Sequence, residues 1–139
     1  MDKWKWLKGG AAAPQGFRAC GVMAGVKYED KYDVAMIYSE KPAQAAGVFT
    51  RNQVKAHPLR LTQKHVQNGV AQAIVVNSGN ANACVGEAGD RAAWEMVRKT
   101  AEKLNIETEN VLVASTGVIG VEMPLERVKD GIEAAVKEI

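Results

Sequence analysis

The chain has 139 residues, 47% of them hydrophobic and 24% charged, with a formal net charge of +2. That length is one ordinary domain with room for a real core. The composition excludes a disordered tail, a collagen-like repeat and a disulfide-stapled miniprotein. Eighteen Lys/Arg against 16 Asp/Glu form no dense basic stripe of the kind that binds nucleic acid, and no apolar run approaches a bilayer span.

Met1 to Lys8 has a charged front but neither the apolar core nor the small-residue cleavage site of a secretory leader. Cys20 and Cys84 lie far apart in sequence; two free thiols in a cytoplasmic protein is the simpler expectation, and spacing alone leaves a disulfide open.

Residues 1–13 read as a flexible N-terminal extension, with Gly9-Gly10-Ala11-Ala12-Ala13-Pro14 leading into the fold. Phe17–Val26 is apolar but punctuated by Gly21 and Gly25, which predicts a strand with a bulge or a close backbone approach. Lys27–Lys31 is a charged turn and Asp33–Tyr38 a second strand, together a hairpin. Ala45–Thr50 predicts another short strand. His57-Pro58 marks a boundary, followed by a short helix over Leu59–Gln67 that Asn68-Gly69 stops.

Ala71–Val76 has the β-branched, apolar character of a buried strand, and it runs into Asn77-Ser78-Gly79-Asn80-Ala81-Asn82-Ala83, a dense turn-forming segment. From Glu87 to Leu104 the period changes to 3.6, with Ala93, Val97, Ala101 and Leu104 on one stripe. Val111–Ala114 is the next strand, ending in Ser115-Thr116-Gly117-Val118-Ile119-Gly120, a second polar turn. A last helix begins near Pro124, with Leu125, Val128, Ile132, Ala135 and Ile139 at helical spacing. That pattern runs to the final residue with no stop signal, so a shortened or processed chain is expected.

Most sequence signatures of catalysis and metal binding are absent. His57 and His65 are eight apart with no Cys or carboxylate at ligand spacing, so no metal is expected and both read as surface or boundary residues. There is no Gly-x-Ser-x-Gly elbow, and the glycines between 79 and 89 lack the Lys-Ser/Thr of a phosphate loop. Two segments remain, each where a strand enters a turn before a helix and backbone N–H groups come free. Asn77 to Cys84 offers amides and a hydroxyl without formal charge. Thr116-Gly117 offers one hydroxyl and one unobstructed N–H side by side, the minimum equipment of an oxyanion hole. Either segment is equally readable as a tight turn.

Asn77-Ser-Gly-Asn-Ala-Asn-Ala-Cys84 followed by Ser115-Thr-Gly-Val-Ile-Gly120 closely resembles the glutamate/ornithine N-acetyltransferase family of arginine biosynthesis. Gly16-Phe-Arg-Ala-Cys-Gly-Val-Met-Ala-Gly25, Ala46-Gly-Val-Phe-Thr-Arg-Asn52 and Ala56-His-Pro-Leu59 extend the likeness from Pro14 to Ile139 in family order. The resemblance implies an α+β fold of the DmpA type, a layered sandwich of mixed sheets between helices. It implies a precursor that cleaves itself into an α chain and a β chain beginning with a nucleophilic threonine. That threonine carries acetyl from N-acetylornithine to glutamate in a ping-pong cycle, and some members also accept acetyl-CoA.

By the same resemblance Thr116 and Gly117 form the oxyanion hole. Residues 14–139 then correspond to the N-terminal part of the α chain, with no cofactor, nucleic-acid or membrane partner implied. The family's Lys-Gly-x-Ala-Thr-Met type motif is missing, so neither the nucleophile nor the main substrate contacts fall in these residues, and the chain alone is expected to be inactive in an α/β hetero-oligomer. Two other readings compete. Gly117-Val118-Ile119-Gly120 is formally the Gly-x-x-Gly loop of a nucleic-acid clamp, although it lacks flanking cations. The chain also reads as a purely structural module.

Overall fold

The computed structural model describes residues 4–139. Residues 1–3 of the expected N-terminal extension lie outside the described residues; within the remainder, Gly10–Ala12 forms one 3-10 turn. Four strands and three helices follow: β1 (Phe17–Val22), β2 (Val34–Gln44), α1 (His57–His65), β3 (Val70–Asn80), α2 (Glu87–Leu104), β4 (Val111–Val118) and α3 (Leu125–Glu138). The fold class is α+β, as the sequence led us to expect.

The strands form one mixed sheet in the order β1-β2-β3-β4. β1, β2 and β3 pair antiparallel, and β4 joins β3 in parallel. A parallel neighbour requires a crossover, and α2 supplies it. Alternation along the strands puts Val34 and Met36 of β2, Val75 and Asn77 of β3, and Val113 and Ser115 of β4 on one face, at matching register. α2 and α3 pack on that face.

α2 forms because its apolar residues recur at helical spacing, with Glu87 and Asp90 favourably placed in the first turn and Asn105 closing it in a left-handed conformation. It buries Met96, Val97 and Ala101, and α3 buries Val128, Ile132 and Ala135. Each of the larger side chains contributes roughly 1.5–3 kcal/mol on leaving water. Gly131 lets α3 approach closely, since a methyl group there would lie 2.6 Å from the Ala24 Cβ. Ala35, Ile37, Ile74, Val76 and Ala114 line the opposite face and remain half-buried or exposed.

α1 closes the outer edge of β4. The Thr62 hydroxyl donates to Val113 O at 2.6 Å and accepts from Val113 N at 2.8 Å, and His65 Nδ1 donates to Val111 O at 2.8 Å. An otherwise open sheet edge is thereby satisfied by side chains.

Several boundaries differ from the sequence reading. Ala45–Thr50 forms no strand; the pairing it was expected to supply comes from β2, which runs on to Gln44 past an irregularity between Tyr38 and Ala43 that accommodates Pro42. β1 stops at Val22, because the chain beyond it is gathered around Asp33. The two supposed turns begin inside strands: β3 continues to Asn80 and β4 to Val118. His57 and His65 are both buried, at 6% and 5% exposure, and are not surface residues.

Candidate active site

The two segments singled out in the sequence meet as the paired ends of β3 and β4. Asn77 stands opposite Ser115, Ser78 opposite Thr116, Gly79 opposite Gly117 and Asn80 opposite Val118. Glycine at 117 is a steric requirement: its φ is +136°, and an added methyl would lie 2.5 Å from Asn80 N and 2.6 Å from Gly79 O. β3 and β4 can close on each other here only without that side chain.

In a strand, the N–H and C=O of one residue share an edge and those of the next residue take the other. Val113 turns both groups to Thr62, away from β3. Val118 O turns toward β3 and accepts from Ala81 N at 2.9 Å. Gly117 therefore presents its N–H on the outer edge, away from the sheet. Thr116 points from the face opposite the helices and is exposed. The Thr116 side chain on that face and the Gly117 N–H on the outer edge belong to consecutive residues of one accessible strand end.

Asparagine side chains brace that end. Asn80 Nδ2 donates to Val121 O at 2.9 Å and to Glu122 O at 3.2 Å, while its Oδ1 accepts from Asn82 N at 2.8 Å. Asn77 Nδ2 donates to Asn80 O at 2.9 Å, and Asn82 Nδ2 to Gly89 O at 2.9 Å, tying the loop to α2. Gly120 N donates to Ala83 O at 2.9 Å. Asn77, Asn80 and Asn82 are all buried; Asn80 engages both ends of its amide, whereas the Oδ1 atoms of Asn77 and Asn82 have no hydrogen-bond partner among the described residues.

A third contributor was not singled out in the sequence. The buried Asp33 carboxylate accepts from Ala24 N at 2.7 Å and Val26 N at 2.6 Å, and Asp33 O accepts from Ser78 N at 2.8 Å. The loop it gathers lies over Gly79, where a methyl would come 2.8 Å from the Lys27 Cβ. Asp33 immediately precedes β2 without any local pattern that marks it, and only the fold shows what it binds.

The buried His57 belongs to a neighbouring cluster. Its Nδ1 donates to Asp90 Oδ1 at 2.8 Å, Arg60 reaches the same oxygen at 2.9 Å, and His57 N donates to Asn82 O at 3.1 Å. The His57 hydrogen bond, helped by the charge of Arg60, holds the Asp90 carboxyl below its ordinary value.

A small apolar hollow of about 270 Å³ flanks the outer edge of β4, lined by residues including Phe49, Pro58, Leu59 and Ser115. A larger concavity, about 730 Å³, lies among charged residues of α2 and Lys129 and includes no residue of either motif. Gly117 and Val118 of the Gly-x-x-Gly tetrapeptide are strand residues. Among the described residues no cluster of three His, Cys, Asp or Glu side chains is arranged to hold a metal, and no helix is long and apolar enough to cross a membrane.

An α+β unit whose parallel strand pair ends in adjacent hydroxyl and N–H donors is thus defined. The chain belongs to the ArgJ family, whose profile matches residues 18–139. It is 55% identical over 129 residues to the arginine biosynthesis bifunctional protein ArgJ of Caldanaerobacter subterraneus, an alignment covering 93% of this chain and 32% of that protein. The ArgJ protein of Symbiobacterium thermophilum is 53% identical over 133 residues, 94% of this chain and 33% of its own length. The chain thus spans about a third of the length of these curated relatives.

Among solved structures, ornithine acetyltransferase from Mycobacterium tuberculosis, complexed with ornithine, superposes with a TM-score of 0.89 at 41% identity. It covers 92% of this chain and 69% of that one. ArgJ from Bacillus halodurans gives 0.86, also at 41% identity, over 90% and 65%.

Proposed function

We propose that this chain is the N-terminal part of the α chain of an N-acetyltransferase of arginine biosynthesis, one that moves acetyl from N-acetylornithine to glutamate. The observation that carries this reading is the succession of an exposed Thr116 and a Gly117 whose N–H faces outward from the sheet, in a chain of the ArgJ family.

In this mechanism a threonine at the start of a separate β chain attacks the acetyl carbonyl through its hydroxyl oxygen. The carbonyl π pair moves to oxygen, and the resulting oxyanion accepts hydrogen bonds from Thr116 and Gly117. When the oxyanion collapses, the C–N bond breaks and the amine leaves with the proton taken from the threonine hydroxyl, giving free ornithine and an acetyl-threonine ester. The amine of glutamate then attacks that ester through a second oxyanion at the same donors. Neutral donors suit a site that must release both intermediates.

The nucleophile and the main substrate contacts lie outside this chain, which is inactive alone. No cofactor takes part, although acetyl-CoA fits as a second acetyl donor, and the enzyme works in the cytoplasm as an α/β hetero-oligomer.

The test begins with intact-mass analysis of the complete protein under denaturing conditions, where a second chain beginning with threonine is expected. Initial rates with varied N-acetylornithine and glutamate should then give the parallel double-reciprocal lines of a ping-pong cycle. Absence of acetyl transfer from a processed, folded enzyme would reject the proposal.

A further inference from the structure

We infer that Asn80 is a positioning residue for the Thr116–Gly117 donor pair, setting where the Gly117 N–H points by bracing the chain that follows it. The inference rests on the oxyanion reading above.

Asn80 is 2% exposed at the last position of β3. Its amide gives both protons to main-chain carbonyls, Val121 O at 2.9 Å and Glu122 O at 3.2 Å, and takes one from Asn82 N at 2.8 Å. A side chain committed in this way to its own protein has no role in touching substrate. What it does is join two segments, the end of β3 and the residues four and five beyond Gly117.

Beyond the β3–β4 ladder, which ends at Val118, that second segment has no anchor of its own before the buried Met123. From Thr116 to Glu122 every residue is exposed, including Ile119 at 62% and Val121 at 51%. No side chain there packs into the core, and α1 satisfies the outer edge of β4 only as far as Val113. An exposed strand end of this kind frays at small free-energy cost. Past the end of that ladder, the Asn80 amide, together with Ala81 N to Val118 O and Gly120 N to Ala83 O, both at 2.9 Å, is what fastens it.

Asparagine is the residue the geometry asks for. Aspartate keeps the acceptor but sets a carboxylate against two carbonyl oxygens, and alanine leaves three main-chain groups without their partner. Catalysis by fixed donors is sensitive to such a change, since a displacement of about 1 Å can cost about 10²-fold in rate.

The experiment compares Asn80→Ala, Asn80→Asp and Asn80→Ser with Thr116→Ala and with Ile132→Val, a core change on α3. All are made in the complete enzyme and assayed with N-acetylornithine and glutamate. For Asn80→Ala, kcat is expected to fall about tenfold or more with KM within about threefold. Asn80→Asp should be slower still, and Asn80→Ser, which keeps one donor, should recover part of the rate. Ile132→Val should keep kcat despite its lower melting temperature.

The role of Asn80 is overturned by a kcat for Asn80→Ala within about twofold of that of Ile132→Val, or by a loss confined to KM. Failure of all three Asn80 variants to fold would also overturn it, by making Asn80 a folding residue. Thr116→Ala separates the two readings. Unchanged turnover there rejects the oxyanion hole itself, whereas slow Thr116→Ala beside normal Asn80 variants rejects only the bracing.

Discussion

Gly117 lies directly against the peptide joining Gly79 to Asn80, with no room for a methyl group between the strands. Gly117→Ala must therefore push β4 from β3 while adopting a φ of +136° that L-residues avoid. We expect a loss of about 2–4 kcal/mol of stability from strain and overpacking together. Turnover should fall more steeply than that loss explains. Denaturant unfolding and steady-state kinetics on the same preparation check both.

Thr116→Ala removes one of the two proposed donors without disturbing the backbone. It should lower kcat by about 10²–10³-fold with little change in KM, the signature of a contact made in the transition state. Thr116→Ser keeps the hydroxyl and should retain most of the rate. Equal losses in the two variants would show that the methyl group, and not the hydroxyl, matters.

Thr62→Val tests how the edge of β4 is sealed. Valine matches threonine in shape but leaves Val113 N–H and C=O without their shared partner. Each such group costs about 1–3 kcal/mol when shielded from water. A drop of about 2 kcal/mol in urea unfolding is the expected result. A loss below about 0.5 kcal/mol would mean that water reaches this edge.

Asp90 predicts a pH dependence. Its carboxyl is held low, first by the hydrogen bond from His57 and then by Arg60. A carboxylate whose folded pKa is depressed stabilises the fold at pH values above its unfolded pKa of about 3.9, and that contribution disappears as pH falls through the folded value. The difference in stability between the native chain and Asp90→Asn should therefore be constant above about pH 5 and shrink below about pH 4. Because Asp90 is largely exposed, the plateau should stay within about 1 kcal/mol. Chemical denaturation at a series of pH values measures it, and a gap that widened in acid would reverse the assignment.

Local pattern was enough to find most of the elements. The stripe through Ala93, Val97 and Ala101 marks α2, the apolar β-branched run at Ala71–Val76 marks β3, and Val128, Ile132 and Ala135 mark α3. Each of these signals arises within one element, from the alternation or 3.6-residue repeat that burying one face demands. Thr116 and Gly117 were also legible as a hydroxyl beside a small residue after a strand. The false strand at Ala45–Thr50 shows the limit, since a short apolar run has no periodicity of its own unless a neighbour pairs with it.

Sequence by itself determined the class of the fold, the order of most of its elements, and the two motifs that place the chain in its family. Only the tertiary structure decided that these motifs are partners. Their residues lie 38 positions apart at every step of the register from Asn77↔Ser115 to Asn80↔Val118, and no local rule relates them. Parallel pairing turned two apparent turns into strand ends, because main-chain groups that seemed free in sequence found their hydrogen bonds across the sheet. The packing of the whole chain also buried His57, His65 and Asp33, whose partners are main-chain groups and side chains distant in sequence or in other elements. A residue's burial depends on what folds over it, and that is a property of the whole chain.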